Sequence, residues 1–279
     1  MKKNLFFILL LLVCVTMQAR KKENPTSDEK GDRPKVALVL GGGGAKGAAA
    51  VGVLKYVEQS GVPIDMVVGT SIGSIVGGLY SMGTTSEQLD SLFRNRAWTD
   101  LFTGSLMGDS IVRTLRELTG SEVSFESLKI PFRCVAVDMN KMKEVVLKEG
   151  NLAQAMRASM AIPLVFKPVK MGNMKLVDGG VLNNLPVDVA RDMGADIVIA
   201  VDLTVNKHKD DSSLLTLLRP DLRKYQRNCK DADIYINPNL KGYGSEDFSP
   251  TKIAEMITLG EKAGKASLKD LKKLKKKLK

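Results

Sequence analysis

Short, continuously apolar segments alternate along the chain with longer segments rich in Ala, Val and Gly. The apolar runs at 35–40, 66–68 and 196–202 have the length and composition of buried strands. The segments at 45–59 and 72–82 have the pattern of helices that pack closely against a sheet. Strands and helices in this alternation are typical of a parallel sheet covered by helices. The pattern therefore predicts an α/β fold with a mostly parallel central sheet.

Other segments predict further elements around this centre. They are a strand pair at 132–138 and 143–147, a helix at 151–161, a hairpin of strands 169–171 and 175–177 around Gly172-Asn173, a helix at 187–193, a last strand at 233–236, and amphipathic helices and loops at 84–127. Aromatic residues make up only 5% of the chain, which has 25 Gly. This composition favours an α/β core over an all-β sandwich.

The N-terminus has the pattern of a secretory signal peptide. Lys2 and Lys3 precede an apolar run at 5–15, which is short for a membrane span, and a polar segment follows at 20–34. We predict a signal peptide at 1–19 that is cleaved after Ala19, a linker at 20–34, and export to the periplasm, the envelope or the medium. An uncleaved N-terminal anchor is the alternative interpretation.

The C-terminus concentrates the positive charge of a chain whose formal net charge is +11. Seven lysines lie in the segment 269–279, and Leu268, Leu271, Leu274 and Leu278 would share one stripe of a helix. Such a helix can lie on an anionic membrane, with its Leu stripe in the acyl boundary. Alternatively, the Leu stripe packs on the domain and the lysines are merely solvated.

The cysteines are too few to indicate a disulfide framework. Cys14 lies in the predicted signal peptide, which leaves Cys134 and Cys229 in the domain. Two cysteines in a domain of this size are too few for a disulfide scaffold. We expect them to be separate packing residues.

The first motif with chemical meaning is a G-x-S-x-G sequence at 69–73. It follows a predicted strand and begins a predicted helix, which is the context of a nucleophile elbow. Ser71 would lie at a helix N-terminus, whose dipole favours the negative charge that develops in acyl transfer. The pattern predicts Ser71 as a nucleophile, although a tight Gly-rich packing turn has the same composition.

The second motif is the glycine-rich run 41–47, and it has three interpretations. A dinucleotide-binding fingerprint requires an acidic residue at the end of the second strand, which ends here at Gly69. A phosphate-binding P-loop requires Ser or Thr after the Lys, but Gly47 follows Lys46. The third interpretation is an oxyanion hole, in which the N–H groups of Gly43 and Gly44 lie near Ser71 because successive parallel strands end at one sheet edge.

The base that would activate Ser71 is not a conventional histidine. His208 is the only His of the chain, and it lies in the charged segment 206–210. A Ser–His–Asp triad needs a buried, oriented imidazole. Asp178 ends an apolar strand and precedes two glycines, which let the backbone turn so that its carboxylate can reach a neighbouring loop.

The glycine-rich run, the G-x-S-x-G sequence and the Asp-Gly-Gly sequence follow one another in the order typical of one family. From about 35 to 202, the chain resembles the patatin-like phospholipase family. The segments 158–163 (ASMAIP) and 183–186 (NNLP) also look like family segments. Lys46 stands where many members have Arg, and Leu164 where many have a small residue. The resemblance implies a catalytic Ser71–Asp178 dyad. It further implies an oxyanion loop of Gly42, Gly43, Gly44, Lys46 and Gly47, an elbow that includes Gly69, Thr70, Ile72 and Gly73, and a turn of Gly179 and Gly180.

The resemblance also implies the overall organisation and the reaction. We expect a three-layer sandwich with the hydrolase domain at 35–240 and a helical extension at 241–279. The expected activity is hydrolysis of lipid acyl esters, as by a phospholipase A, without metal or cofactor and without nucleic acid. A lipid-binding protein that keeps the fold but has no useful turnover is the alternative, and a nucleotide-binding role is a third.

Overall fold

The predicted strands form one eight-stranded sheet in the computed structural model, which describes residues 33–95, 109–120, 123–205 and 222–278. The strands are β1 (Val36–Leu40), β2 (Met66–Thr70), β3 (Phe132–Asp138), β4 (Lys143–Leu147), β5 (Val169–Met171), β6 (Met174–Asp178), β7 (Ile197–Val201) and β8 (Ile234–Ile236). The helices within these ranges are α1 (Gly47–Ser60), α2 (Ile72–Met82), α3 (Ser86–Asn95), α4 (Asp109–Thr119), α5 (Leu152–Ser159), α6 (Val187–Asp192), α7 (Leu222–Asp231) and α8 (Pro250–Lys277).

The centre of the sheet is parallel and its flank is antiparallel. The order is β5-β6-β3-β2-β1-β7-β8, and β4 also pairs with β3. Neighbours from β3 to β8 run parallel, whereas β4, β5 and β6 are joined by antiparallel pairings. The predicted mostly parallel α/β fold is therefore confirmed.

Helices cover both faces of the sheet because the parallel strands are apolar on both sides. Val36, Leu38 and Leu40 of β1 belong to a core with residues of α1, α2, α5 and α8. Ala37 and Val39 of the same strand face a second core that includes residues of α6 and α7. The fold is thus a sandwich of three layers.

Strand β3 pairs with two different strands along one of its edges. β4 pairs with Cys134–Asp138, which occupies one edge of β3. Because a strand has only two edges, β2 and β6 share the other one. β2 pairs with it as far as Thr70 opposite Val135, and β6 approaches from the opposite direction and ends with Asp178 opposite Ala136. The C-terminal ends of β2 and β6 therefore meet on adjacent residues of β3.

The Leu stripe of the C-terminal helix packs on the domain. α8 begins after Ser249, whose side chain accepts a hydrogen bond from Lys252 N–H, and it lies against α1. Leu271, Leu274 and Leu278 are buried in the core, and Leu268 is half-buried. Of the two interpretations of this stripe, the structure supports packing and contradicts insertion of these side chains into lipid.

Other expectations have mixed outcomes. Cys134 and Cys229 are free, and they belong to opposite faces of the sheet. In the part of the chain that the structure describes, no helix is long and apolar enough to span a membrane. The signal peptide, nearly all of the linker, His208 and a part of the segment 84–127 lie outside the described residues.

Candidate active site

Ser71 occupies a sharp turn between β2 and α2. Its backbone has φ 55° and ψ −125°, a conformation that is unfavourable for a residue with a Cβ atom. The turn is possible because glycines stand two residues before and two residues after Ser71. A Cβ added to Gly73 would lie 2.2 Å from the Leu40 carbonyl oxygen, and one added to Gly69 would lie 2.3 Å from the Gly73 oxygen. This is the geometry of a nucleophile elbow.

Asp178 lies directly beside this serine. The Ser71 hydroxyl donates a hydrogen bond of 2.6 Å to Oδ2 of Asp178. The Gly180 N–H donates to Oδ1 at 2.7 Å, and the Asp178 N–H donates to the Ala161 carbonyl at 2.9 Å. The side chain is 0% exposed. Both carboxylate oxygens thus have a defined donor, and one of these donors is the candidate nucleophile.

The turn after Asp178 depends on two close approaches. A Cβ added to Gly179 would lie 2.2 Å from the Val135 carbonyl oxygen. A Cβ added to Gly180 would lie 2.7 Å from the Asn184 side-chain oxygen and 3.0 Å from Oδ1 of Asp178. The Asp-Gly-Gly sequence therefore serves the packing of the turn as well as the presentation of the carboxylate.

The glycine-rich loop lies against Ser71, but only some of its N–H groups are available to bind a substrate oxygen. Gly42 donates its N–H to the Asn184 carbonyl at 3.0 Å, and Gly47 donates to oxygens of the preceding turn. The N–H groups of Gly43 and Gly44 donate to no group among the described residues. Of the residues expected in the oxyanion loop, Gly42 and Gly47 therefore have N–H groups that are already engaged, and Gly43 and Gly44 remain the candidate donors.

Lys46 and Ile72 have packing positions beside the site. Lys46 lies in the 3-10 turn Gly44–Lys46 and is only 4% exposed. Ile72 is buried, and a Cβ added to Gly47 would lie 2.2 Å from its Cγ1 atom. Gly47 thus lets α1 approach the start of α2. This contact joins the glycine-rich loop to the elbow.

Two residues of the site carry no chemical signal in the sequence. Ser159 Oγ accepts the Ser71 N–H at 3.0 Å and donates to the Val135 carbonyl at 2.6 Å, so it fastens the elbow to β3. Asn184 fastens the glycine-rich loop, since its side-chain amide also donates to the Gly42 carbonyl at 3.1 Å. Both lie in segments noted only for their resemblance to family sequences, and their roles depend on contacts between distant parts of the chain.

A family model described as patatin-like phospholipase matches residues 38–191, which include the elbow, the glycine-rich loop and Asp178. The chain belongs to the patatin-like phospholipase family. Patatin-like phospholipase domain-containing protein 6 of Homo sapiens is 39% identical over 189 residues, which are 60% of this chain and 13% of that protein. An uncharacterized NTE family protein of Mycobacterium bovis is 35% identical over 178 residues, which are 61% of this chain and 49% of that protein. The chain thus spans less than half the length of these relatives.

A solved structure shares the fold. The crystal structure of VipD from Legionella pneumophila has a TM-score of 0.58 at 15% identity, over 85% of this chain and 67% of that one. At this level of identity the likeness concerns the fold.

A polar network of side chains from β4, α6 and α7 contacts the segment 183–186. Lys224 forms ion pairs with Glu144 and Asp188, and Asn183 donates to both of these carboxylates. Burial by itself would raise the pKa of Asp188, but hydrogen bonds from Lys224 and Asn183 hold it below its usual range. The Thr70 hydroxyl in turn donates to the Asn183 carbonyl at 2.9 Å. The network therefore connects α6 and α7 to the strand that carries Ser71.

Proposed function

We propose that the protein is a serine hydrolase that cleaves acyl ester bonds of lipids, with Ser71 as nucleophile and Asp178 as its base. The observation that carries this proposal is the 2.6 Å hydrogen bond from a serine with φ 55° to a fully buried carboxylate. An elbow of this kind places the hydroxyl oxygen at the sheet edge where a substrate can bind, and a carboxylate within hydrogen-bond reach can accept its proton. Membership of the family supports a lipid ester as substrate, of the phospholipase A type.

The reaction has two halves. In the first, Oγ of Ser71 attacks the ester carbonyl carbon while its proton moves to Oδ2 of Asp178. N–H groups of Gly43 and Gly44 stabilise the negative carbonyl oxygen. The tetrahedral intermediate then collapses, and the leaving alcohol takes the proton from Asp178. In the second half, water attacks the acyl-serine and gives its proton to Asp178, which returns it to Ser71 as the fatty acid leaves.

The alternative is a protein of this fold that binds lipid without turning it over. Labelling by a fluorophosphonate distinguishes the two, since it requires an activated serine. We expect the wild type to react and Ser71→Ala to show neither labelling nor ester hydrolysis. Hydrolysis by Ser71→Ala within a few-fold of the wild-type rate would refute the role of Ser71. A screen of phospholipids, acylglycerols and soluble esters would then define the substrate.

Two further expectations belong to this proposal. Residues 1–19 would direct export, and comparison of the mature N-terminus with the encoded one tests it. Any contact of the C-terminal lysines with anionic membranes would be by charge alone, because their Leu neighbours are buried; it is the competing alternative to the docking surface inferred below. Deletion of this segment is an unsuitable test, since it would remove core residues. Charge reversal of Lys272 and Lys273, which are exposed, is the appropriate one.

A further inference from the structure

Two large apolar side chains are exposed in backbone conformations that side chains rarely adopt. Met142 has φ 48° and is 57% exposed, and Leu164 has φ 68° and is 85% exposed. Ser71 is the third non-glycine residue with positive φ in the described ranges. Neither the positive φ nor the exposure is favourable for a residue such as Leu. Backbone turns account for the two φ angles, since the Val165 N–H donates to the Ile162 carbonyl at 3.1 Å and the Lys141 N–H donates to the Asp138 carbonyl at 3.2 Å. Packing within the described part of the protein does not explain the exposure of the two side chains.

Both residues are connected to Asp178 through backbone hydrogen bonds and short chain segments. Leu164 comes three residues after Ala161, whose carbonyl accepts the Asp178 N–H at 2.9 Å. Met142 lies in the turn from β3 to β4, and Met139 of that turn donates its N–H to the Lys175 carbonyl at 2.9 Å. Lys175 is itself three residues before Asp178, and three residues span at most about 10 Å. The turn with Leu164 therefore borders the site, and the turn with Met142 lies farther along β3 from it.

The turn from β3 to β4 and the turn between β5 and β6 lie beyond the elbow at the same edge of the sheet. β3 continues for three residues past Val135, which is the partner of Thr70, and the hairpin of β5 and β6 pairs with that extension. We define the hairpin rim as residues 139–143, 163–167 and 170–175. The rim projects from the sheet edge at which Ser71 lies.

The hairpin rim is positively charged and contains no acidic residue. Five lysines lie in its three segments, and all of them are exposed: Lys141, Lys143, Lys167, Lys170 and Lys175. Apolar residues stand between them, including Met139 and Val165, which are 43% and 37% exposed. Exposed apolar side chains among lysines are the combination that favours the interface of an anionic lipid membrane.

The Lys-rich C-terminus lies at the other end of the domain. α8 runs parallel to α1: a Cβ on Gly260 would meet Ala49 near the start of α1, and Lys275 contacts the Gly61 carbonyl at its end. α1 starts at the glycine-rich loop and has 14 residues, so its ends are about 20 Å apart. A planar membrane that contacts the hairpin rim therefore lies away from these C-terminal lysines.

We propose that the hairpin rim is the surface with which the protein docks on anionic phospholipid membranes. Met142 and Leu164 enter the acyl boundary, and the lysines of the rim contact lipid phosphates. The inference rests on the proposed function in one respect, namely that docking here presents the dyad to its substrate. Binding itself does not require turnover.

The test therefore measures sedimentation with vesicles in the Ser71→Ala background, where hydrolysis cannot affect the result. The probes are phosphatidylcholine vesicles with and without phosphatidylglycerol. The main variant combines Met142→Ser with Leu164→Asn, because Asn tolerates positive φ better than Leu. Leu222→Asn is the matched control, since Leu222 is 58% exposed but lies on α7, outside the rim.

We expect the rim variant to bind anionic vesicles at least about ten-fold more weakly, while Leu222→Asn binds like its parent. Lys141→Glu with Lys143→Glu should weaken binding by about five-fold or more per lysine and reduce its salt dependence. Thermal unfolding checks the fold, and Leu164→Asn should leave the melting temperature unchanged or higher. Unchanged binding of folded rim variants overturns the proposal, as does loss of binding only in Lys272→Glu with Lys273→Glu. A fluorophosphonate-inert wild type that still docks through the rim would refute the hydrolase function alone.

Discussion

Replacement of Asp178 by Asn tests the dyad with little disturbance of shape. In the wild type, Oδ1 accepts the Gly180 N–H at 2.7 Å and Oδ2 accepts the Ser71 hydroxyl at 2.6 Å. An Asn side chain has one acceptor, and the Gly180 N–H fixes where that acceptor lies. The reverse orientation would place the amide NH2 against another donor. In the Asp178→Asn variant the amide NH2 group therefore faces Ser71 and cannot accept its proton.

The magnitude follows from this loss of the base. A positioned general base contributes about 10²–10⁴ in rate, and each factor of ten corresponds to about 1.4 kcal/mol of activation free energy. We expect Asp178→Asn to lose about 3–5 kcal/mol of transition-state stabilisation. The fold should persist, because the size of the side chain and the Gly180 hydrogen bond are retained. Because the two residues act as a unit, Ser71→Ala with Asp178→Asn should be no slower than Ser71→Ala alone.

Initial rates on a soluble ester, together with thermal unfolding, provide the assay. Asp202→Asn is the matched control, since Asp202 is also 0% exposed and follows a parallel strand, but its carboxylate accepts from Tyr225 and Tyr235. We expect the control to lose stability while its rate stays within about ten-fold of the wild type. If folded Asp178→Asn hydrolyses the ester at a similar rate to this control, Asp178 is not the base.

Two further predictions concern the loop and the supporting network. Gly42→Ala should slow fluorophosphonate labelling at least about ten-fold, because overpacking of this kind costs about 1–3 kcal/mol. The new methyl group would lie 2.5 Å from the Asn184 side-chain oxygen and 3.1 Å from Ser71 Cβ. Labelling at the wild-type rate would contradict this prediction. The pKa of Asp188 is depressed from its usual 3.8, so the unfolded chain binds more protons in acid and the stability from the network is lost as the pH falls below that value. Burial lowers the pKa of Lys224, but hydrogen bonds to Asp188 and Glu144 outweigh burial and raise the pKa above 10.5. The stability that Lys224 contributes is therefore lost only as the pH rises above that value. Urea unfolding should show Lys224→Met to be less stable than the wild type between about pH 5 and 9, with a smaller difference near pH 3; a difference that does not change with pH would refute this role.

The available donors also refine what an oxyanion hole in this chain can contain. The sequence predicts the N–H groups of Gly43 and Gly44 as donors, and the resemblance places Gly42, Lys46 and Gly47 in the same loop. Gly42 is excluded because the Asn184 carbonyl, 142 residues away, accepts its N–H. That pairing is invisible in a local pattern. It also explains why position 42 needs a glycine, since any Cβ would collide with the Asn184 side chain.

The sequence by itself determined the α/β class, the strands of the parallel centre, the elbow and the carboxylate partner of Ser71. These properties are local or belong to a recognisable set of motifs: apolar runs form buried strands, and glycines permit crowded turns. The C-terminal Leu spacing indicated a helix with an apolar stripe, but the spacing is consistent both with packing on the core of the domain and with a membrane surface.

Only the tertiary structure decided where these pieces meet. Ser71 and Asp178 are 107 residues apart, and they come within 2.6 Å because β2 and β6 end on adjacent residues of one edge of β3. The burial of Leu271 against the domain, the attachment of the elbow to Ser159 and the exposure of Leu164 beside the site likewise depend on register and packing. Periodicity records which face of an element is apolar, but it does not record which distant element that face will meet, because that choice is made by the packing of the whole chain.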